Sequence, residues 1–217
     1  MKTLCLVRHG ETEWHADERV AGRSDIALSA NGQTEARAAG RYLSQLIEHT
    51  RDRYNLRDAS WYSSTAIRTR TSAALMLESF QSTQDITADE RLVELDFGDW
   101  EGQRWPDIHQ NEADVLSAWG EDWVNRSPPN GETFAQQRDR CCAWFDDWES
   151  ESADNASAIV VIHGGSIRAL TCHLVGWSLA DAMNYSVDTA GITLLGKDTG
   201  ATDWRIRMLN AKAFIER

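Results

Sequence analysis

Residues 158–162 read AIVVI, five apolar side chains with no polar alternation, and the run breaks at once into His163, Gly164 and Gly165. A short run of this kind reads as a strand covered on both faces, which calls for a sheet with helices packed on each side. Residues 4–7, LCLV, do the same and end in Arg8, His9 and Gly10. Strands usually end in turn residues; these two end in a cation and titratable rings.

The rest of the chain alternates in the same way. The first strand covers residues 2–7. Ser29 caps a helix over about 30–48, whose Ala36, Ala39, Leu43 and Ile47 share one face. Residues 59–62 form a short strand, and Ser64 caps a helix to about Phe80 with Ile67, Ala74 and Leu77 inward. A third helical unit runs from Glu132 to about Ser150, where Phe134, Cys141, Trp144, Phe145 and Trp148 recur at helical spacing. Gly164 opens a helix through Val175, and strands over roughly 191–196 and 204–209 close the chain. This alternation predicts an α/β fold, a three-layer sandwich with a mostly parallel central sheet and helices on both faces. At 217 residues, with no internal repeat, a single domain over residues 1–217 is expected.

The formal net charge of −12 argues against nucleic acid or an anionic membrane as partner, since both need a basic face. A small anion remains compatible, because a local Arg cluster outweighs a screened, distant average. Lysine occurs only at positions 2, 197 and 212, so the cations are almost all Arg, whose planar fork matches phosphate and carboxylate. No apolar stretch is long enough to span a bilayer and no cleavable leader is evident, so a cytoplasmic protein is expected. Cys5, Cys141, Cys142 and Cys172 form no C-x-x-C pair and read as reduced, mostly buried thiols.

Sheets of this type bind ligands beyond the carboxyl ends of their strands. The out-of-place polar residues sit there: Arg8 and His9 after the first strand, Ser63, Ser64 and Arg68 after the second, and His163, Gly164 and Gly165 after residue 162. Any one of them alone is an ordinary turn residue or surface charge. Together they bring two Arg, two His and closely approaching glycine backbone to one crevice, the makings of a phosphoryl site.

The blocks LVRHGET (6–12), YSSTAIRTRTSA (62–73), RLVELDFGDWEG (91–102) and VVIHGGSIRAL (160–170) resemble, in order, those of the histidine phosphatase superfamily, also called phosphoglycerate mutase-like. The resemblance covers nearly the whole chain. It implies that His9 is the nucleophile and becomes phosphohistidine, and that Arg8, Arg68 and His163 hold the phosphoryl oxygens. It implies that Glu94 protonates the leaving group and then activates water, and that Gly164 contributes a backbone N–H. It implies neither a cofactor nor a metal ion, since Arg and His supply the positive charge.

These roles suit the chemistry. Imidazole attacks phosphorus only through an unprotonated nitrogen, and nearby Arg8 and Arg68 favour the neutral ring. His163, beside a phosphate dianion, gains a proton and donates it in a hydrogen bond. Glu94 must carry a proton although a free Glu titrates at about 4.3. A bound dianion, partial burial and the carboxylates of Asp96, Asp99 and Glu101 all act in that direction. The residues alone leave Glu94 level with Glu90, Asp96 and Asp99; the resemblance singles it out.

Two positions depart from the family pattern. Asn usually stands where His15 does, and Gln where Ala21 does, while Arg19, Gly22 and Asp25 fit. The expected substrate contacts are His15 through a ring nitrogen, Arg19, Ala21 through its backbone alone, Gly22 and Gly164. Two look-alikes fail. No cysteine is followed six residues later by Arg, as a cysteine phosphatase needs. GITLLGKD (191–198) has Asp where a nucleotide-binding loop needs Ser or Thr, and a strand-like interior. The acidic stretch lacks the ordered spacing of a calcium loop.

The superfamily includes mutases, sugar bisphosphatases, broad acid phosphatases and the α-ribazole-phosphate phosphatases of cobalamin assembly. Mutases carry extra sequence around the acid and a C-terminal tail; this chain stops soon after its last strand, so hydrolysis is expected. Residues 98–108 and 118–134 resemble the α-ribazole phosphatase branch. This implies a metal-independent phosphomonoesterase for α-ribazole 5'-phosphate or a related small phosphorylated metabolite. A phosphoglycerate mutase and a broad-specificity sugar or acid phosphatase are the alternatives. A small helical lid insertion is expected over about 98–131. Its Trp100, Trp105, Trp119 and Trp123 are expected mainly to fill the lid's own core, although one could stack on a flat heteroaromatic group. Glu132 is expected to cap the next helix or to bind an Arg of the site. No nucleic acid or membrane partner is expected, and a homodimer is left open.

Overall fold

The computed structural model describes residues 1–80 and 84–213. In chain order its elements are β1 (Lys2–Arg8), α1 (Ala30–His49), β2 (Ser60–Ser63), α2 (Ile67–Ser79), β3 (Ile86–Ala88), α3 (Trp105–Asn111), α4 (Ala113–Glu121), α5 (Phe134–Glu151), β4 (Ser157–Ile162), α6 (Gly164–Val175), β5 (Ile192–Lys197) and β6 (Arg205–Ala211). The sheet order is β3-β2-β4-β1-β5-β6. The first four are mutually parallel; β5 runs antiparallel to β1, and β6 to β5. The α/β expectation is met.

The unbroken apolar runs follow from burial on both faces. Cys5, Val7, Ile159 and Val161 belong to a core with α1 and α2, while Leu4, Leu6, Ala158, Val160 and Ile162 belong to a core with α5 and α6. A strand wetted on one side alternates; these cannot. Because β2, β4 and β1 are neighbours and parallel, their carboxyl ends lie together along one edge of the sheet.

Ser29 caps α1, its Oγ accepting from Gly32 N, and Ala36, Ala39, Leu43 and Ile47 are buried as expected. α5 starts behind Thr133, which forms a capping box with Gln136, so Glu132 is not its cap. α2 departs further. Its N-cap is Ala66, without a side-chain bond, and Ser64 is engaged elsewhere. Ile67 and Ala74 face solvent, whereas Arg68, Thr69, Ser72, Ala73 and Met76 are buried. The first turns of α2 lie at the strand ends, where the inward face is polar, and an apolar periodicity misreads it. β3 was not anticipated; it is three residues long, paired to β2 through Trp61 and Ile86.

Helices α3 and α4 lie between β3 and α5 and pack around a small apolar cluster of their own. Trp100 is fully buried at its centre with Val20 and Ile108, its indole N–H donating to Glu112 at 3.0 Å. All four cysteines are free and buried. Burial pushes the thiols of Cys5 and Cys141 up to about 12, which makes them inert. Among the described residues no helix is long and apolar enough to cross a membrane.

Candidate active site

Arg8 is the last residue of β1, and the His9 N–H continues the ladder to Ile162 O at 2.9 Å. His163 follows β4 as the N-cap residue of α6, and Arg68 lies in the first turn of α2 behind β2. Three parallel strands therefore deliver the four side chains to one place. The rings of His9 and His163 meet edge to face, centroids 5.2 Å apart.

Each side chain is fixed. His9 is 5% exposed, and its Nδ1 lies 2.7 Å from Gly10 O. That carbonyl takes the Nδ1 proton and leaves Nε2 with a free lone pair. Arg68, 1% exposed, donates to Ser24 O at 2.7 Å and to Gly22 O at 2.6 Å. Arg8 donates to Val187 O at 2.8 Å. His163 is wholly buried, with Nε2 2.7 Å from Ser64 Oγ. Arg8 Nε, Arg68 Nε and His163 Nδ1 are buried without a partner among the described residues. Buried polar atoms left unpaired are costly, and an anion held by these side chains would offset that cost.

Burial first, then Arg68 and Arg8, holds His9 well below the ordinary imidazole value. Burial, then Arg68 and His9, does the same for His163. Both rings are neutral in the free protein. For His9 that is the nucleophilic state. For His163 it is the starting state, since the expected proton is drawn by a dianion.

Of the acidic candidates, Glu94 alone lines the cavities beside Arg8. Glu90 is exposed, Asp96 accepts from Gly98 N, and Asp99 accepts from Asn130. Glu94 Oε1 accepts from Gln137 Nε2 at 2.8 Å and Leu95 N at 2.9 Å, and Oε2 from Gly165 N at 3.1 Å. A Cβ at position 165 would collide with Glu94 Oε1 and displace that carboxyl from where it now sits. The loop beneath is tied by Arg140, which donates to Val93 O and Glu94 O and is paired with Glu132. Glu132 thus serves as an Arg partner. Glu101 accepts from the backbone of Arg23 and Ser24, locking the loop that holds Arg68.

A cavity of about 430 Å³ opens over Arg8, His9 and Glu94, with His15, Arg19, Ala21 and Trp105 on its walls. Thr12 N–H donates to His15 Nδ1 at 3.0 Å, which leaves the ring proton on Nε2, 3.2 Å from Arg8 Nη2. Both are donors, and one acceptor in the cavity can be shared by the two. Arg19 donates to Gly102 O at 3.0 Å and remains partly exposed. Gly22 sits behind Arg68, acting through its carbonyl, and does not line the cavity. Gly164 opens α6 and lines a second cavity of about 150 Å³, which shares Arg8, Glu94 and Arg168 and is walled by Phe97, Trp119, Trp123 and Phe134. Trp100 is the core of the α3–α4 cluster, with Trp105 and Trp119 packed against it and Trp123 packed on Phe134 instead; these last three are only half-buried and also face these cavities. Among the described residues no group of three or more His, Cys, Asp or Glu is placed to hold a metal ion.

Sequence reasoning missed Arg168 and Gln137. Arg168 stands four residues after Gly164, hence on the same face of α6. Gln137 is an amide inside the apolar stripe of α5. Both signals were there to be read.

The family model described as histidine phosphatase superfamily (branch 1) matches residues 4–212. The chain is similar to a glucosyl-3-phosphoglycerate phosphatase of Mycolicibacterium vanbaalenii, 29% identical over 99% of this chain and 97% of the relative. It is similar to an adenosylcobalamin/alpha-ribazole phosphatase of Salmonella typhimurium, 30% identical over 85% of each. A solved mycobacterial glucosyl-3-phosphoglycerate phosphatase, in complex with VO3, superposes with a TM-score of 0.83 at 25% identity, covering 98% of this chain and all of that one.

Proposed function

The chain belongs to the histidine phosphatase superfamily, branch 1, and is a hydrolase; we propose that it cleaves small phosphomonoesters through a phosphohistidine at His9, without a metal ion. The observation that carries this is the meeting of Arg8, His9, Arg68 and His163 with three of their polar atoms buried and unpaired.

The phosphoryl group binds between Arg8, Arg68 and His163. His9 Nε2 attacks phosphorus in line as the ester P–O bond breaks, and Glu94 gives its proton to the departing alkoxide. In the second step Glu94 takes a proton from water, whose oxygen attacks phosphorus and breaks the P–N bond. Inorganic phosphate leaves and both residues return to their starting states.

For the alcohol, the aromatic wall of Phe97, Trp119, Trp123 and Phe134 favours a flat heteroaromatic group, and α-ribazole 5'-phosphate is the substrate we put first. Arg168, which faces both cavities with its Nε buried and unpaired, supports a second reading. There the substrate carries another anionic group, as a phosphoglycerate-type ester does.

The test is phosphate release in EDTA from α-ribazole phosphate, glucosyl-3-phosphoglycerate, 3-phosphoglycerate and fructose bisphosphates, by wild type and His9→Ala. Release by wild type alone supports the mechanism, and equal release by both proteins ends it. Isomerisation of 3-phosphoglycerate primed by a bisphosphate would make the protein a mutase.

A further inference from the structure

Gln137 is wholly buried, yet its side-chain carbonyl has no hydrogen-bond partner among the described residues. It stands among Phe134, Cys141 and Trp144 on the inward stripe of α5, where an apolar residue would pack without that defect. What distinguishes the amide is its NH2 group. One hydrogen goes to Glu94 Oε1 at 2.8 Å and the other to Ser166 Oγ at 3.2 Å. Ser166 in turn donates its only hydroxyl proton toward the carbonyls of Val93 and Leu92, at 3.1 and 3.2 Å. The Ser166 oxygen can therefore only accept from Gln137. This pins the amide with its NH2 toward Glu94 in either protonation state of that carboxyl.

A carboxyl oxygen offers two lone-pair sites. On Glu94 Oε1 both are taken, by Gln137 and by Leu95 N–H. On Oε2 only one is taken among the described residues, by Gly165 N–H. A proton added to Glu94 has one open position, the second lone pair of Oε2. We infer that Gln137 is a positioning residue that confines the Glu94 proton to Oε2 and so aims it at the leaving oxygen. This rests on Glu94 being the proton donor of the proposed reaction. The step itself is unchanged: the Oε2 proton moves to the alkoxide as the ester bond breaks, and Glu94 is left as carboxylate.

The experiment compares kcat/KM for alkyl phosphates, whose alkoxides need a proton to depart, with p-nitrophenyl phosphate, whose phenolate does not. Wild type, Gln137→Met, Gln137→Leu and Glu94→Gln are assayed side by side. Both Gln137 variants are expected to lose about tenfold on the alkyl esters, the scale of one buried hydrogen bond, and less than about twofold on the nitrophenyl ester. Two apolar variants guard against misfolding, because a damaged fold lowers both substrates alike. A uniform loss, or none, overturns the assignment of Gln137. If Glu94→Gln also fails to discriminate between the esters, the proton donor of the proposed function is wrong; if it discriminates and the Gln137 variants do not, only this inference falls.

Discussion

The two buried rings make folding stability depend on pH in a calculable way. His9 and His163 are 5% and 0% exposed, and both are held well below the usual imidazole value of 6.5, by burial first and then by Arg68. In the unfolded chain they take up protons as pH falls through 6.5, while in the fold they stay neutral. The unfolded state then binds more protons, so stability is full above pH 6.5 and falls below it. Each ring contributes about 1.36 kcal/mol per pH unit under that point, so lowering pH from about 7.5 to about 5.5 removes about 1.4 kcal/mol per ring and about 3 kcal/mol for both. His15, half-buried and lowered in the same sense, adds a smaller loss. A domain holds only about 5–15 kcal/mol in total, so the effect is large, about 6–12 °C in Tm. Urea unfolding at the two pH values, in buffers free of phosphate, measures it. His9→Asn should remove close to half of the pH dependence whatever it does to absolute stability. A wild-type loss below about 1 kcal/mol, or full pH dependence in His9→Asn, would show that the rings are not neutral in the fold and would undo the electrostatic reading of the site.

Four further substitutions have expected outcomes. Ser64→Ala strips the one partner from His163 Nε2 and should cost about 1–3 kcal/mol in urea unfolding while lowering kcat/KM. Arg68→Met should lower kcat/KM by about 10²–10³. It should also move the acid limb of its pH profile upward, because Arg68 is the main charge keeping His9 unprotonated. Trp123→Ala should raise KM up to about tenfold for aromatic phosphomonoesters only, and Arg168→Met should do so for phosphomonoesters bearing a carboxylate only.

The parts of the site that could be read from the sequence are those where chemistry interrupts a pattern. RHG after LCLV and HGG after IVVI stand out because buried strands leave few places for such residues, and parallel neighbours bring their ends together. The parts that could not be read lie on helices. The inward face of α2 begins Arg68, Thr69, Ser72, so an apolar stripe through Ile67 and Ala74 picks the wrong side. Gln137 hides in the opposite way, a polar residue in a stripe that otherwise reads as core. Glu94 could not be separated from Glu90, Asp96 and Asp99 by local sequence, because what selects it is Gly165 and Gln137, more than forty residues away. β3, three residues long, carries too few side chains to show a period.

The arginines make the same point at the level of charge. Acidic residues outnumber Lys and Arg by 34 to 22, and several arginines are paired with carboxylates. Arg91 pairs with Asp89 and Asp147, Arg140 with Glu132, and Arg207 with Asp198. Arg8 and Arg68 are held otherwise, by the backbone carbonyls of Val187, Gly22 and Ser24. A carbonyl fixes a guanidinium in place without cancelling its charge, and a carboxylate does both. Burial then removes the water that would screen the charge that is left. Glu94, the carboxylate nearest them in the cavity, is tied to three N–H donors of its own and bonds to neither arginine. An acidic protein thus keeps two cations beside His9 that pair with no carboxylate among the described residues, and what fixes them there is a set of loop carbonyls, a property of the fold that no residue count contains.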